Sequence, residues 1–128
     1  MRKLVVLLCL CSFLCANTSL KIFISVDMEG IGGIGTSEMT RAKGKDYNLG
    51  RILMTAEVNA VVSAIYKTNS SAEIVVNDSH GDMQNLNHQD LDPRVIYIQG
   101  NKKPYGMVQG LDRSFAVSYT HLTLPTKA

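Results

Sequence analysis

The chain of 128 residues is 45% hydrophobic and 19% charged, with 10 Gly and 3 Pro, a composition that excludes collagens, coiled coils and disordered chains. Arg2 and Lys3 account for the formal charge of +2, because the remaining basic residues equal the 11 acidic residues in number. Without a basic excess, or a basic run longer than Lys102-Lys103, the composition excludes nucleic acid as an expected partner.

The first 19 residues have the pattern of a secretory signal peptide. A basic start is followed by an apolar run over residues 4–15 and then by small and polar residues 16–19. The run of about a dozen residues is shorter than the ~20 that a transmembrane helix needs, so we expect no permanent membrane anchor. We expect an exported protein, periplasmic or extracellular, that loses all three cysteines with the signal.

Strand and helix patterns alternate through the next part of the chain. Residues 21–26 and 73–77 are short apolar runs and are predicted as strands, with residues 94–98 as a third candidate. Between them, residues 46–68 are predicted as an amphipathic helix because apolar side chains recur at spacings of three and four: Leu49, Ile52, Leu53, Ala56, Ala60, Val61, Ala64 and Ile65. This order predicts a right-handed βαβ unit, the start of a three-layer α/β fold with parallel strands that is incomplete at its C-terminal side.

The last residues, 117–128, are predicted to be a tail foreign to the natural protein. Their sequence resembles the translation of a transposase-type sequencing adapter. We therefore do not expect His121 to be a metal ligand. Residues 20–116 remain as the folded part, and about a hundred residues suffice for a small hydrophobic core.

Acidic and histidine side chains follow the first two predicted strands. Asp27 and Glu29 come directly after one strand, and Asp78 and His80 come after the other. Side chains alternate along an extended chain, so the two members of each pair are expected to point the same way. Parallel strands place both pairs at the carboxyl edge of the sheet, where open α/β sheets bind ligands. Four potential ligands are therefore expected to converge.

A divalent metal explains this clustering of charge. Two carboxylates at the end of a buried strand repel each other and lose hydration, which raises at least one pKa unless a cation compensates. Carboxylates with a neutral imidazole suit Zn²⁺, whereas Mg²⁺ prefers oxygen ligands. We predict zinc bound by Asp27, Glu29 and His80, and because three ligands are too few for two metal ions, further ligands are expected beyond this chain.

Simpler explanations remain for the same residues. The aspartates could cap turns, Glu29 could be solvated, and His88 is predicted to be a surface residue because its neighbours are polar.

Gly30-Ile-Gly-Gly-Ile-Gly35 fits a dinucleotide-binding pattern, but no helix is predicted to open at its last glycine. We interpret it as a loop that lets backbone approach the site. A magnesium-dependent phosphohydrolase is disfavoured by Glu29 and His80.

Four separated motifs together resemble the N-terminal part of the D-aminopeptidase family of zinc metallopeptidases. In this order and spacing they are residues 25–31 (SVDMEGI), 48–55 (NLGRILMT), 76–80 (VNDSH) and 103–112 (KPYGMVQGLD). The resemblance implies an α/β dizinc peptidase that assembles into a ring-like homodecamer. Its implied substrates are short peptides from which it releases N-terminal D-amino acids such as D-Ala.

The resemblance also implies roles for single residues. Asp27 corresponds to the family's first aspartate ligand, taken as the bridge between two zinc ions, Glu29 to its carboxylate partner, and His80 to its first histidine ligand. Asp78 is expected to support the site through its backbone or through hydrogen bonds behind the ligands. The family's remaining ligands and its catalytic histidine follow Asp112, so no catalytic residue is expected within this chain, which we expect to be inactive as given. The alternative is an α/β domain that binds metal without catalysis.

Overall fold

A computed structural model gives the structure of the protein and describes residues 19–120. The predicted signal peptide, apart from its last residue, and residues 121–128 of the predicted foreign tail lie outside this range. The described part forms a parallel α/β sheet in the order β3-β2-β1-β4, with strands at Lys21–Val26 (β1), Glu73–Asp78 (β2), Ile96–Ile98 (β3) and Val117–Thr120 (β4). The predicted α/β class and the parallel pairing of β1 with β2 are confirmed.

Two helices of unequal length lie between β1 and β2. A short helix, α1, spans Ser37–Thr40, and the long helix α2 spans Tyr47–Thr68, as the apolar spacing predicted. A single 3-10 turn at Met28–Gly30 follows β1. By length and composition α2 could cross a membrane. In this fold it instead packs one face on the sheet, as the core helix of a βαβ unit does.

The buried face of α2 differs in part from the predicted one. Met54, Val58 and Val62, spaced four residues apart, are buried in the core, and the predicted Leu53, Val61 and Ile65 pack against it. Leu49 and Ile52, in contrast, are about half exposed. Nearly every turn of this helix carries apolar residues on both sides, so spacing alone could not tell which side faces the sheet. The core forms between this line and the strand residues that face it: Ile22, Ile24, Val26, Ile74 and Val76.

The third strand is shorter than predicted. It begins at Ile96 instead of residue 94 because Asp92 folds the preceding residues into a turn. The Asp92 carboxylate accepts hydrogen bonds from the backbone N–H and the guanidinium of Arg94, and the Asp92 carbonyl accepts one from the N–H of Val95. These local bonds hold the residues out of the strand.

The segment that connects β3 to β4 covers the sheet face opposite α2. Phe115 packs its ring edge-on against Phe23, with ring centroids 5.6 Å apart. Towards the carboxyl edge the contacts between this segment and the sheet are polar, because the Asn77 side-chain amide donates hydrogen bonds to the carbonyls of Gly106 and Met107. Val117–Thr120 then pairs in parallel with β1. Its assignment to a foreign tail stays a prediction.

Candidate metal centre

The ends of β1 and β2 lie side by side at the carboxyl edge of the sheet. Val26 pairs with Asp78 in the strand register, so the residues that follow each strand are neighbours. The ligand atoms of Asp27, Glu29 and His80 all lie within 4.8 Å of one another. His80 Nδ1 is 2.9 Å from Asp27 Oδ1 and 2.8 Å from Glu29 Oε2. The structure thus brings together the three residues that the sequence predicted as zinc ligands.

The backbone at Thr40 sets the orientation of the His80 ring. His80 Nε2 lies 2.8 Å from the Thr40 carbonyl oxygen. A carbonyl can only accept a hydrogen bond, so Nε2 carries a proton and Nδ1 faces the two carboxylates. Metal-binding histidines commonly donate their other ring N–H to a carbonyl in this way. The donor set of one imidazole nitrogen and two carboxylates therefore fits Zn²⁺.

The three groups shift one another's protonation. A hydrogen bond to Asp27 raises the pKa of His80 to about 9, with further support from the Thr40 carbonyl. Burial acts to raise the pKa of Asp27, but hydrogen bonds with His80 and Glu29 outweigh it and the pKa is lowered. Burial and the hydrogen bond with Asp27 raise the pKa of Glu29. Without metal, a protonated His80 thus supplies the positive charge that the carboxylates require.

Asp78 does not join the ligand group, although alternation along the strand predicted convergence of all four side chains. It is fully buried, and its carboxylate accepts hydrogen bonds from the backbone N–H groups of Asn85 and Leu86 and from the Tyr97 hydroxyl, at 2.6, 2.9 and 3.0 Å. The Asn85 side-chain amide adds a further bond at 2.8 Å. Asp78 therefore folds the loop after β2, which carries His80.

The first turns of α2 hold the same loop from the other side. The Tyr47 hydroxyl donates to Asn85 Oδ1 at 2.5 Å, and the Arg51 guanidinium donates to the Asn85 carbonyl at 2.7 Å. The Thr55 hydroxyl accepts from the N–H of Asn87. Sequence reasoning missed these contacts, although Arg51 and Thr55 lie in a motif that carried the family resemblance.

A second polar cluster supports β2 on the sheet face opposite α2. The Lys103 ammonium donates to Asn77 Oδ1 at 2.7 Å and to the Asp78 carbonyl. Ser25 and Ser79 are hydrogen-bonded to each other across the two strands at 2.6 Å. The motif that begins at Lys103 thus ties the segment before β4 to the strand end beside His80.

The glycine-rich loop after β1 does not form a dinucleotide site. The next helix, α1, has four residues and begins at Ser37, beyond the last glycine of the pattern. The N–H of Gly32 donates to the Glu57 carboxylate at 2.8 Å, so it is already used, and a phosphate there would face a negative charge. The backbone of the loop, which directly follows Glu29, instead contacts α2.

A pocket of about 360 Å³ opens beside the ligand group. Glu29 and His80 form one wall, and residues from α1 and α2 and the loop after β2 line the rest, among them Thr40, Tyr47 and Asp82. Its volume is at the lower end of the range for small-molecule sites. His88 lies elsewhere: it is exposed, as predicted, and stacks on Tyr97.

Comparisons with known proteins show the family to which the chain belongs. The sequence model of the D-aminopeptidase family, peptidase M55, matches residues 20–120. A curated D-aminopeptidase from Bacillus subtilis (strain 168) is 38% identical over 96 residues, which cover 75% of this chain and 35% of that protein. A solved structure, the Zn-dependent D-aminopeptidase DppA from Bacillus subtilis, described as a self-compartmentalizing protease, matches with a TM-score of 0.76 and 37% identity. That match covers 79% of this chain and 36% of the relative, so the chain spans about a third of the length of these proteins.

Proposed function

The chain belongs to the D-aminopeptidase family, and we propose that it is the N-terminal part of a zinc-dependent aminopeptidase that releases N-terminal D-amino acids, of the D-Ala type, from short peptides. One observation carries the proposal: Asp27, Glu29 and His80 meet at the carboxyl edge of the sheet, with the histidine oriented for metal binding by Thr40. The D-aminopeptidase from Bacillus subtilis supports the substrate class, and the solved relative supports zinc.

Each residue of the group has a distinct part in this chemistry. Asp27 and Glu29 supply the negative charge that holds a divalent cation, and His80 supplies Nδ1 once it has released its proton. Zinc bound there supplies a Lewis acid for the scissile carbonyl and lowers the pKa of a bound water. The neighbouring pocket provides room for part of the peptide beside Glu29 and His80.

Zinc binding by the full chain tests the metal site. We expect one equivalent of Zn²⁺ to bind in competition with a chromogenic chelator, and His80→Gln to weaken binding at least about tenfold. Because cysteines 9, 11 and 15 are potential zinc ligands outside this site, the baseline is a variant in which Asp27→Asn, Glu29→Gln and His80→Gln are combined. Equal affinity of the chain and this triple variant would refute the proposed site.

Catalysis by these 128 residues is a separate part of the proposal. The described residues supply one three-residue group of metal ligands, and the family resemblance implies two zinc ions for hydrolysis. We therefore propose that these residues bind metal but do not hydrolyse D-Ala-D-Ala. The same observation favours the second candidate, an α/β domain that binds metal without catalysis.

Sequencing of the gene through and past codon 116 with an independent library chemistry separates the two candidates. If the chain is part of the peptidase, we expect residues 117–128 to be replaced by an open reading frame that continues further and encodes two more histidines and a distal glutamate. If the chain is a metal-binding domain, we expect the new sequence to show the same codons for residues 117–128, followed by a stop codon. Hydrolysis of D-Ala-D-Ala, with L-Ala-L-Ala as control, then tests the longer protein.

We further propose that the protein is exported and that the longer protein forms a homo-oligomeric ring. Export is supported by the signal pattern of residues 1–19, and a mature N-terminus between Ala16 and Ser19, found by mass spectrometry outside the cytoplasm, is the expected result. A ring is supported by the solved relative, which is described as self-compartmentalizing. Light scattering of the longer protein tests it.

A further inference from the structure

Gly50 lies in the first turns of α2 and is buried. Glycine destabilises a helix relative to alanine, because it loses more conformational freedom on folding. A buried glycine near the start of a 22-residue helix therefore indicates that a neighbour leaves no room for a methyl group. It also belongs to the motif at residues 48–55 that carried the family resemblance.

Two neighbours occupy the space that a side chain at position 50 would need. A Cβ atom there would overlap the carbonyl oxygen of Met39, and it would lie 2.9 Å from the Cε atom of Met28. The first contact is with backbone, which cannot move aside without displacing the end of α1. The second is with a side chain that is fully buried.

Both neighbours are covalently adjacent to the metal site. Met39 precedes Thr40, whose carbonyl accepts the hydrogen bond from His80 Nε2. Met28 separates Asp27 from Glu29, and its buried side chain fixes the 3-10 turn that places the two carboxylates. A displacement at Gly50 therefore reaches Asp27 and Glu29 through the peptide bonds of Met28, and reaches His80 through Thr40 and its hydrogen bond to Nε2.

We propose that Gly50 is a positioning residue for the metal centre: the close approach that it allows sets the positions of the Thr40 carbonyl and of Met28, and through them the geometry of Asp27, Glu29 and His80. This inference rests on the proposed zinc site. It assigns Gly50 a role in metal binding that it performs without touching the metal.

Gly50→Ala in the full chain is the first test. We expect it to weaken Zn²⁺ binding about 10–100-fold, the usual effect of disturbing groups that orient metal ligands. We also expect a changed visible absorption spectrum of bound Co²⁺, which reports ligand geometry. Val62→Ala is the control: it creates a cavity in the same helix, three turns away, and lowers the urea midpoint while leaving zinc affinity and the Co²⁺ spectrum unchanged.

Gly44→Ala provides a second route to the same carbonyl. A Cβ atom at Gly44 would overlap the carbonyl oxygen of Glu38 and lie 3.0 Å from that of Arg41, so it displaces the residues around Thr40 directly and not through position 50. We expect weakened zinc binding here as well. If Gly50→Ala does not fold, Gly44→Ala decides the question.

The outcomes distinguish a failure of the proposed zinc site from a failure of the role assigned to Gly50. Absence of zinc binding by the unsubstituted chain would refute the proposed metal site and this inference with it. Zinc binding by the chain with unchanged affinity and Co²⁺ spectrum in the folded glycine variants would overturn the role of Gly50 alone. Weakened binding and an altered spectrum in these variants, with neither change in Val62→Ala, would support it.

Discussion

The two strand ends that form the site are held in different ways. After β1, the residues around Asp27 and Glu29 are fixed mainly by apolar packing, because the Met28 side chain between them is fully buried beneath α2. After β2, the residues up to His80 are fixed by hydrogen bonds, because the buried Asp78 carboxylate accepts from Asn85, Leu86 and Tyr97. One edge of the sheet thus combines an apolar support and a polar one.

The difference has a physical consequence for substitution. Packing is nearly non-directional, so a side chain of similar volume can replace another at modest cost. A buried carboxylate that satisfies several donors has fixed directions, and its removal leaves those donors without partners in a medium that cannot solvate them. We therefore expect the β2 end to tolerate less change than the β1 end.

Asp78→Ala is expected to have the largest effect. It removes the acceptor for five buried or partly buried donors, namely the N–H groups of His80, Asn85 and Leu86, the Asn85 side-chain amide and the Tyr97 hydroxyl. The free energy of unfolding should fall by about 3–5 kcal/mol. Urea denaturation followed by circular dichroism measures it. Asp82→Ala in the same loop is the matched control, since Asp82 is exposed and its carboxylate accepts a hydrogen bond from the nearby Gln84 N–H. Equal losses in the two variants would contradict a special role for the buried carboxylate.

Met28→Ala tests the apolar support. Truncation of a buried methionine should cost about 2–4 kcal/mol and weaken zinc binding, because the turn between Asp27 and Glu29 loses its anchor. Met28→Leu keeps the volume and should cost less than about 1.5 kcal/mol. A large loss in the leucine variant would mean that the β1 end is as demanding as the β2 end, and the comparison would fail.

The fold was predictable to the extent that local patterns determine it. Lys21–Val26, the long helix and the second strand follow from apolar runs and their spacing, and the parallel pairing follows from their order. The buried face of α2 followed only in part, because the half-exposed Leu49 and Ile52 fit the apolar spacing as well as the buried Met54 and Val58 do. Which side meets the sheet is decided by tertiary packing.

The ligand group was predicted for a reason that was only partly right. Alternation along extended strands suggested that Asp27 and Glu29 point the same way, whereas Glu29 lies in a 3-10 turn that follows the strand. The same argument included Asp78, which turns inward to bind backbone N–H groups of its own loop. The supports at Thr40, Gly50 and Tyr97 are distant in sequence, and no spacing rule connects them to His80.

The pH dependence of the free energy of unfolding tests the contact between the two strand ends. The pKa of His80 is raised from 6.5 to about 9 by Asp27, so its contribution to the stability of the metal-free protein is fully present below pH 6.5 and is lost as the pH rises through 9. After allowance for solvent screening we expect a loss of about 1–2 kcal/mol. Unfolding in EDTA from pH 6 to 10 measures it, and His80→Gln should remove this part of the slope. Zinc should oppose the trend, because metal competes with the proton at Nδ1.

Tyr97→Phe is expected to have the smallest effect and gives the sharpest test of the polar support. It removes one of the hydrogen bonds to Asp78 and leaves the ring stacked on His88, so about 1 kcal/mol of stability should be lost. Asp78 keeps its backbone partners, so the loop should stay folded and zinc affinity should be nearly unchanged. Tyr66→Phe, which removes an exposed hydroxyl bond to the Arg94 carbonyl, is the matched control and should cost less. A marked loss of zinc affinity in Tyr97→Phe would mean that each bond to Asp78 is required separately, whereas the present geometry implies that the remaining donors suffice to hold His80.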